Sequence, residues 1–269
     1  MRRWPSGWRY GCFAIVKSRW RIFATVIVVS AVGGAILSGL VVPQQASREE
    51  GGARLRESPG AGALFGWLGG FRALAADLLW LRMYAGWERR DLPGTQTLIR
   101  AVVAVDPRPA YFWINGARIL AYDQPVWRIE AEGGYEAVSA ERRRVIEVEQ
   151  ARLALRLLEE ARGLHASAAA MWTEQANIEL NKLGDLAAAA ASFRRAWEQP
   201  AGPYYAARIH GELLRRMGRH REAYDWLCSL YPKLPPDDEA ADAPLVLARI
   251  RELERVLALP PAATFRSGR

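Results

Sequence analysis

The side chains of this 269-residue chain best suited to chemistry are three histidines, two cysteines and a few clustered charges. His165, His210 and His220 stand in no metal-ligating spacing such as His-Glu-x-x-His, and no Cys-x-x-Cys occurs. Gly-x-Ser-x-Gly, P-loop and Gly-x-Gly-x-x-Gly patterns are absent as well. Glu159 and Glu160 are adjacent on an expected helix, where neighbouring side chains face different ways and cannot share an acid–base task. Asp237, Asp238 and Glu239 follow Pro235 and Pro236 and read as solvated loop acids. Arg142, Arg143 and Arg144 read as a solvated helix face rather than a phosphate site. Cys228 falls in an expected helix and reads as a small buried apolar residue. Nothing in this inventory supports an enzyme, a metal or a cofactor. The chemistry left to the charged and aromatic side chains is recognition, so the elements that display them decide the reading.

The charge is unevenly placed. Net charge is +8, yet residues 1–21 hold six basic residues and no acid, leaving 31 basic against 29 acidic residues in the rest. A nearly balanced remainder argues against a phosphate-binding face and hence against nucleic acid as a partner. The basic stretch also carries Trp4, Trp8, Tyr10 and Trp20, side chains suited to a headgroup interface.

Behind it stands "IFATVIVVSAVGGAILSGLVV", residues 22–42, without a charge. At about 1.5 Å rise per residue, such a run spans a hydrocarbon core of roughly 30 Å. The basic flank stays cytoplasmic, which orients the C-terminal bulk outside the cytoplasm. A cleaved signal peptide is the competing reading. It calls for a shorter apolar run, about 7–15 residues, and small residues at the cleavage site, where Gln44 stands here. An uncleaved anchor fits better. Within it Ser30, Gly34 and Ser38 recur every fourth residue and offer a close-packing face for self-association. Cys12 then lies across the membrane from Cys228, and the two cannot pair within one chain.

Residues 43–61, rich in Gly, Pro, Ser and charge, read as a flexible linker. The next apolar run, residues 62–84, is long enough to span a membrane but holds Arg72, Asp77 and several glycines. A central Arg costs roughly 2.5–3.5 kcal/mol on insertion scales. A helix on the membrane surface, or the first helix of the soluble domain, is expected instead.

The remaining chain repeats itself. At an offset of 34 residues Leu180 meets Leu214, Gly184 meets Gly218, Ala189 meets Ala223, Phe193 meets Leu227 and Ala196 meets Leu230. Helix, tight turn and second helix account for the pattern: glycine at the turn, a small residue where the paired helices approach, and a large apolar residue one turn on. One such pair cannot bury its apolar face alone, so several must stack. On these residues the chain resembles the tetratricopeptide-repeat superfamily, whose unit is 34 residues with Trp and Leu-Gly early, Ala-x3-Phe-x2-Ala later and a closing Pro. Pro107, Trp113, Gly116 and Ala117 fit the junction and opening of an earlier unit. Departures are equally specific. Asn177 stands where a small residue is expected, Leu230 replaces an alanine, and Trp172 is one residue out of register with Gly184, as though the first helix were a residue longer. The unit opening near Ala110 is stretched, its late signature being Ala154, Leu158 and Ala161. An irregular segment and a helix from the N-cap Ser139 to Arg162 fill the interval. Residues 243–259 read as an amphipathic cap with Val246, Ile250, Leu253 and Leu257 inward, and the last residues as a frayed tail.

The expectation is therefore an all-α protein: a single N-terminal transmembrane helix, then an α-α superhelical repeat domain over residues 62–258 with a C-terminal capping helix, and a tail over 259–269. The resemblance implies a concave groove lined by first helices, here Tyr111, Arg118 and Tyr122, then Glu174, Asn181 and Lys182, then Tyr205, Arg208, Glu212, Arg215 and Arg216. It implies a protein or peptide partner, hence a scaffold or assembly factor in the cell envelope. The family's Lys-and-Asn clamp for chaperone tails is not reproduced. The alternative is a membrane-bound enzyme or accessory subunit with its site in the 124–150 insertion.

Overall fold

The computed structural model describes residues 59–165, 168–235 and 238–266, with side chains from residue 70 onward. The expected basic tail, the anchor and its small-residue face, and all but the end of the linker lie outside the described residues. Among those described, every regular element is helical, and no helix is long and apolar enough to cross a membrane.

Ten α-helices follow in order: α1 (Pro59–Glu88), α2 (Leu92–Val105), α3 (Ala110–Arg118), α4 (Gln124–Ala131), α5 (Ala140–Arg162), α6 (Ala169–Ile178), α7 (Leu186–Glu198), α8 (Tyr204–Arg216), α9 (His220–Leu230) and α10 (Ala243–Val256). Single π-helical turns continue α3 over Ile119–Asp123 and α6 over Glu179–Leu183. The chain divides into two compact units, one up to Leu78 and one from Leu79 onward. α1 opens at Pro59, so the last residues read as linker are already helical.

Within the second unit the helices pack as successive pairs: α6 on α7, α7 on α8, α8 on α9 and α9 on α10. The turns inside two pairs fall where the sequence places them. Gly184 (φ 68°) and Gly218 (φ 74°) are both left-handed, a conformation that costs other L-residues about 1 kcal/mol or more. Asp185 then caps α7 by accepting from the Ala188 amide at 2.9 Å. The paired signature positions form the core: Ala189, Phe193, Ala196 and Ala223 are fully buried, and Leu227 and Leu230 nearly so. The small side chains let the helices close on one another, and Phe193 fills the remaining gap.

The stretched unit holds its expected signature. Ala154, Leu158 and Ala161 of α5 are fully buried, α5 packs on α3, and Ser139 caps it by accepting from the Arg142 amide at 3.2 Å. The segment expected to be irregular is largely helix α4, closed by a turn through Gly133 and Gly134, both at positive φ. α4 is held because Ile129 joins Val138 and Ile146 in a small apolar cluster and Trp127 meets Trp87 edge-on at 6.4 Å.

The tail differs from expectation. α10 is capped by Asp242 and turns Val246, Ile250 and Leu253 inward as read, but it ends at Val256. The chain then returns to dock. Phe265 meets Tyr231 edge-on at 5.6 Å, its amide donates to Glu254 Oε1 at 2.7 Å, and the Tyr224 hydroxyl donates to the Ala263 carbonyl at 3.3 Å. A nearly buried carboxylate, the Tyr224 hydroxyl and the Tyr231 ring supply the partners that hold the segment.

Candidate binding site

α8 follows Pro203 and divides cleanly by face. Ala206, Ala207, His210, Gly211, Leu213 and Leu214 are buried, while Tyr205, Arg208, Glu212 and Arg216 recur at helical spacing on the other side with Arg215 beside them. Gly211 sets the depth. A Cβ there would stand 2.8 Å from Leu227 Cδ2, so a larger residue would displace that side chain of α9. The outward stripe faces α10, and together they enclose a groove of about 390 Å³ floored by Ile209, Leu227, Val246 and Leu253, with Leu245 at its edge.

The rim is a chain of shared ion pairs. Arg215 grips Glu212 through two bonds of 2.9 and 2.8 Å, and Arg216 Nε reaches the same carboxylate at 3.3 Å. Glu252 of α10 accepts from Arg249 at 2.6 Å and lies 3.7 Å from Arg215. Arg208 donates to the Ala240 carbonyl at 3.1 Å and pairs with Asp242 at 3.5 Å. The Arg215 guanidinium holds Glu212 below the usual carboxylate range, and Arg249 does the same for Glu252. These two carboxylates are therefore ionised at neutral pH.

A second cluster gathers where α3 meets α6. Arg118 delivers Nε and a terminal nitrogen to a single oxygen of Glu174, at 2.8 and 2.7 Å. Glu174 is 3% exposed, whereas the Arg118 side chain is 55% exposed, so the pair runs from core to solvent. Tyr122, Asp123, Asn177 and Asn181 line the same shallow cavity of about 520 Å³. Burial raises the Tyr122 hydroxyl, against a hydrogen bond with Asn181 that lowers it. The Lys182 ammonium lies 5.0 Å over the Tyr122 ring and 4.0 Å from Glu147.

The π turn of α6 explains this arrangement. A π turn inserts one residue into a helix. With Trp172 as the early aromatic, the inserted residue moves Ala176, not Asn177, into the small-residue position. Ala176 is fully buried against Ala189 and Phe193. The reading of Asn177 as a substitute small residue is thereby corrected: it is turned out to the cavity. The end of the π turn is secured by Arg144 of α5, which donates to the Lys182 carbonyl and, at 2.6 Å, to that of Leu183.

The expected groove residues thus fall into two sites and one exception. Tyr205, Arg208, Glu212, Arg215 and Arg216 line the α8–α10 groove. Arg118, Tyr122, Glu174 and Asn181 share the α3–α6 cavity, with Lys182 beside it. Tyr111 lines neither. It is half-exposed, its ring 5.7 Å from Trp80 and 5.6 Å from Phe112, and its hydroxyl is bonded to Tyr84. Sequence reasoning missed Arg249, Leu245 and Asn177. The first two belong to a helix read only as a cap, although Leu245 and Arg249 are i and i+4 beside its inward stripe.

His210 is buried, its Nδ1 donates to the Ala190 carbonyl at 2.7 Å, and burial lowers its pKa. Burial pushes the Cys228 thiol up, away from reactivity. The 124–150 insertion is braced internally by Arg142–Glu132 at 2.7 Å and Arg128–Glu149 at 2.8 Å. No group of three His, Cys, Asp or Glu suited to a metal occurs among the described residues. No family model matches the chain, and no curated protein matches it.

Proposed function

We propose that this chain is a membrane-anchored helical scaffold, similar to tetratricopeptide-repeat proteins, that binds a protein or peptide partner through the α8–α10 groove and acts as an assembly factor in the cell envelope. The repeat reading is supported by the equal roles of residues 34 apart: paired left-handed glycines, paired buried alanines, and Phe193 with Leu227 between helices. The observation that carries the binding reading is that five residues chosen for their inward positions all line one groove with an apolar floor. Arginine and tyrosine around an apolar centre are the composition of protein interfaces. The α3–α6 cavity, with its two asparagines, adds a polar surface of the same kind. Anchoring rests on the uncharged run 22–42 behind a basic, tryptophan-rich flank.

The test uses the full chain, crosslinked in its own membranes and then purified. Partners recovered with the native chain should fall about tenfold or more on Arg208→Ala/Arg215→Ala/Arg216→Ala, the scale expected for two or more interface arginines. Partners recovered undiminished would remove the groove from the proposal. Orientation is tested separately by a reporter fused after Arg269 that is active only outside the cytoplasm. A well-expressed but inactive fusion would overturn it.

A further inference from the structure

We propose that the α8–α10 groove takes an acidic segment carrying a large apolar side chain. Its carboxylates would seat on Arg216 and Arg249 and its apolar group against Leu245, Val246 and Leu253. The inference rests on the reading of this groove as a partner site and adds the partner's chemistry.

Charge sets the sign. Four arginines line the groove against one carboxylate, Glu212, with Glu252 and Asp242 at its margin. A basic partner meets like charge, and a neutral one leaves the outer guanidiniums without a gain. The hydrogen bonds say which arginines are available. Arg215 occupies both oxygens of Glu212. Arg216 engages that carboxylate through Nε alone, and Arg249 engages Glu252 through one terminal nitrogen. Each outer arginine therefore keeps a pair of N–H groups in the fork that matches a carboxylate. Their side chains are 56% and 42% exposed, so a ligand acid reaches them without first stripping a buried charge.

The floor requires the second half of the proposal. Leu245 is 44% exposed and stands above Val246 and Leu253, which are almost fully buried. A purely acidic chain would leave this apolar surface wet, whereas a Leu, Phe or Trp side chain covers it. A groove of about 390 Å³ falls in the range of about 300–1,000 Å³ that receives such groups. The molecule already shows the pairing mode at the edge of the groove, where Asp242 caps α10 and meets Arg208.

The experiment measures binding of labelled peptides to the full chain in detergent. Three helical peptides share one face of Leu and Trp and differ in the other, which carries Glu, Gln or Lys. The Glu peptide should bind about tenfold or more tighter than the other two, and more weakly as salt rises. Arg216→Ala/Arg249→Ala should bring it down to the level of the Gln peptide. Arg152→Ala/Arg156→Ala, which removes equal charge from the exposed face of α5, should leave it unchanged, and equal helical signal in both variants confirms the fold. If the Gln or Lys peptide binds as tightly as the Glu peptide and Leu245→Glu abolishes it, the groove remains a peptide site and the acidic preference is overturned. If no peptide binds, the acidic–apolar partner is refuted. If crosslinked partners also survive the Arg208/Arg215/Arg216 triple variant, the groove reading falls with it.

Discussion

Glu174 is almost fully out of water and pairs with Arg118, whose side chain is half in solvent. Removing one partner of a fully buried pair costs about 3–5 kcal/mol, and solvent on the arginine side reduces this to roughly 1–2 kcal/mol here. Arg118→Ala should lower the urea midpoint accordingly. Glu174→Gln should cost less, because the amide oxygen still accepts from the guanidinium and no stranded charge remains. His210 makes the complementary case for pH. Burial lowers its folded pKa below the ordinary value of about 6.5, so the unfolded chain binds the proton more readily. Stability from this residue is present above that ordinary value and is lost as pH falls through the folded value. Urea midpoints at neutral and mildly acidic pH should show the decline, and His210→Gln should flatten it. That Arg118 and Glu174 occupy inward positions was legible in the sequence. That they touch across 56 residues was not, because the contact depends on how α6 stacks on α3.

Among the elements, α6 and its π turn are the instructive case. Trp172 one residue out of register with Gly184 announced an extra residue in the first helix of that pair. It did not announce where the residue would enter, because helix propensity is nearly indifferent to a π turn. The place is decided by packing. Ala176 must meet Ala189 and Phe193, and the extra residue is absorbed after it, over Glu179–Leu183. The register has a direct test. Ala176→Leu should destabilise the protein by about 1–3 kcal/mol through overpacking, whereas Asn177→Ala should change stability by no more than about 0.5 kcal/mol. Equal effects in chemical denaturation would reject the assignment. The 124–150 insertion teaches a related lesson. Its Ser139 cap could be read locally, but α4 could not, since Ile129 gains Val138 and Ile146, and Trp127 gains Trp87, only when the chain folds.

At the scale of the whole molecule, the last helix covers the end of the helical core. Leu227, Leu230, Tyr231 and Leu234 share a core with Val246, Ile250 and Leu253, so α10 covers a face that α9 leaves apolar. A chain ending at Asp242 should expose that face, bind a hydrophobic dye strongly and aggregate. A chain ending at Leu259 keeps the cap and loses only the docked tail. It should unfold a few degrees lower, in keeping with roughly 1–2 kcal/mol for the partly buried Phe265. Matching behaviour of the two truncations in a thermal melt would mean that the cap and the tail act as one element. The same helix that covers the core also supplies Arg249 and Leu245 to the groove, so closing the core and building the candidate site are one structural event.

By itself the sequence determined the helical class, the helix capped at Ser139, the turn glycines, the paired small and large core positions and the stripe of charged and aromatic side chains on α8. All of these follow from local rules: helical periodicity, the left-handed freedom of glycine, and the fit of alanine between close helices. Only the tertiary structure decided the rest. It moved Asn177 outward and Ala176 inward, parted the inward residues into two sites and set Tyr111 against Trp80 and Tyr84. It also made a capping helix the second wall of a groove. Those outcomes depend on which surfaces meet, and meeting surfaces are fixed by the mutual packing of segments far apart in the chain rather than by any one stretch of it.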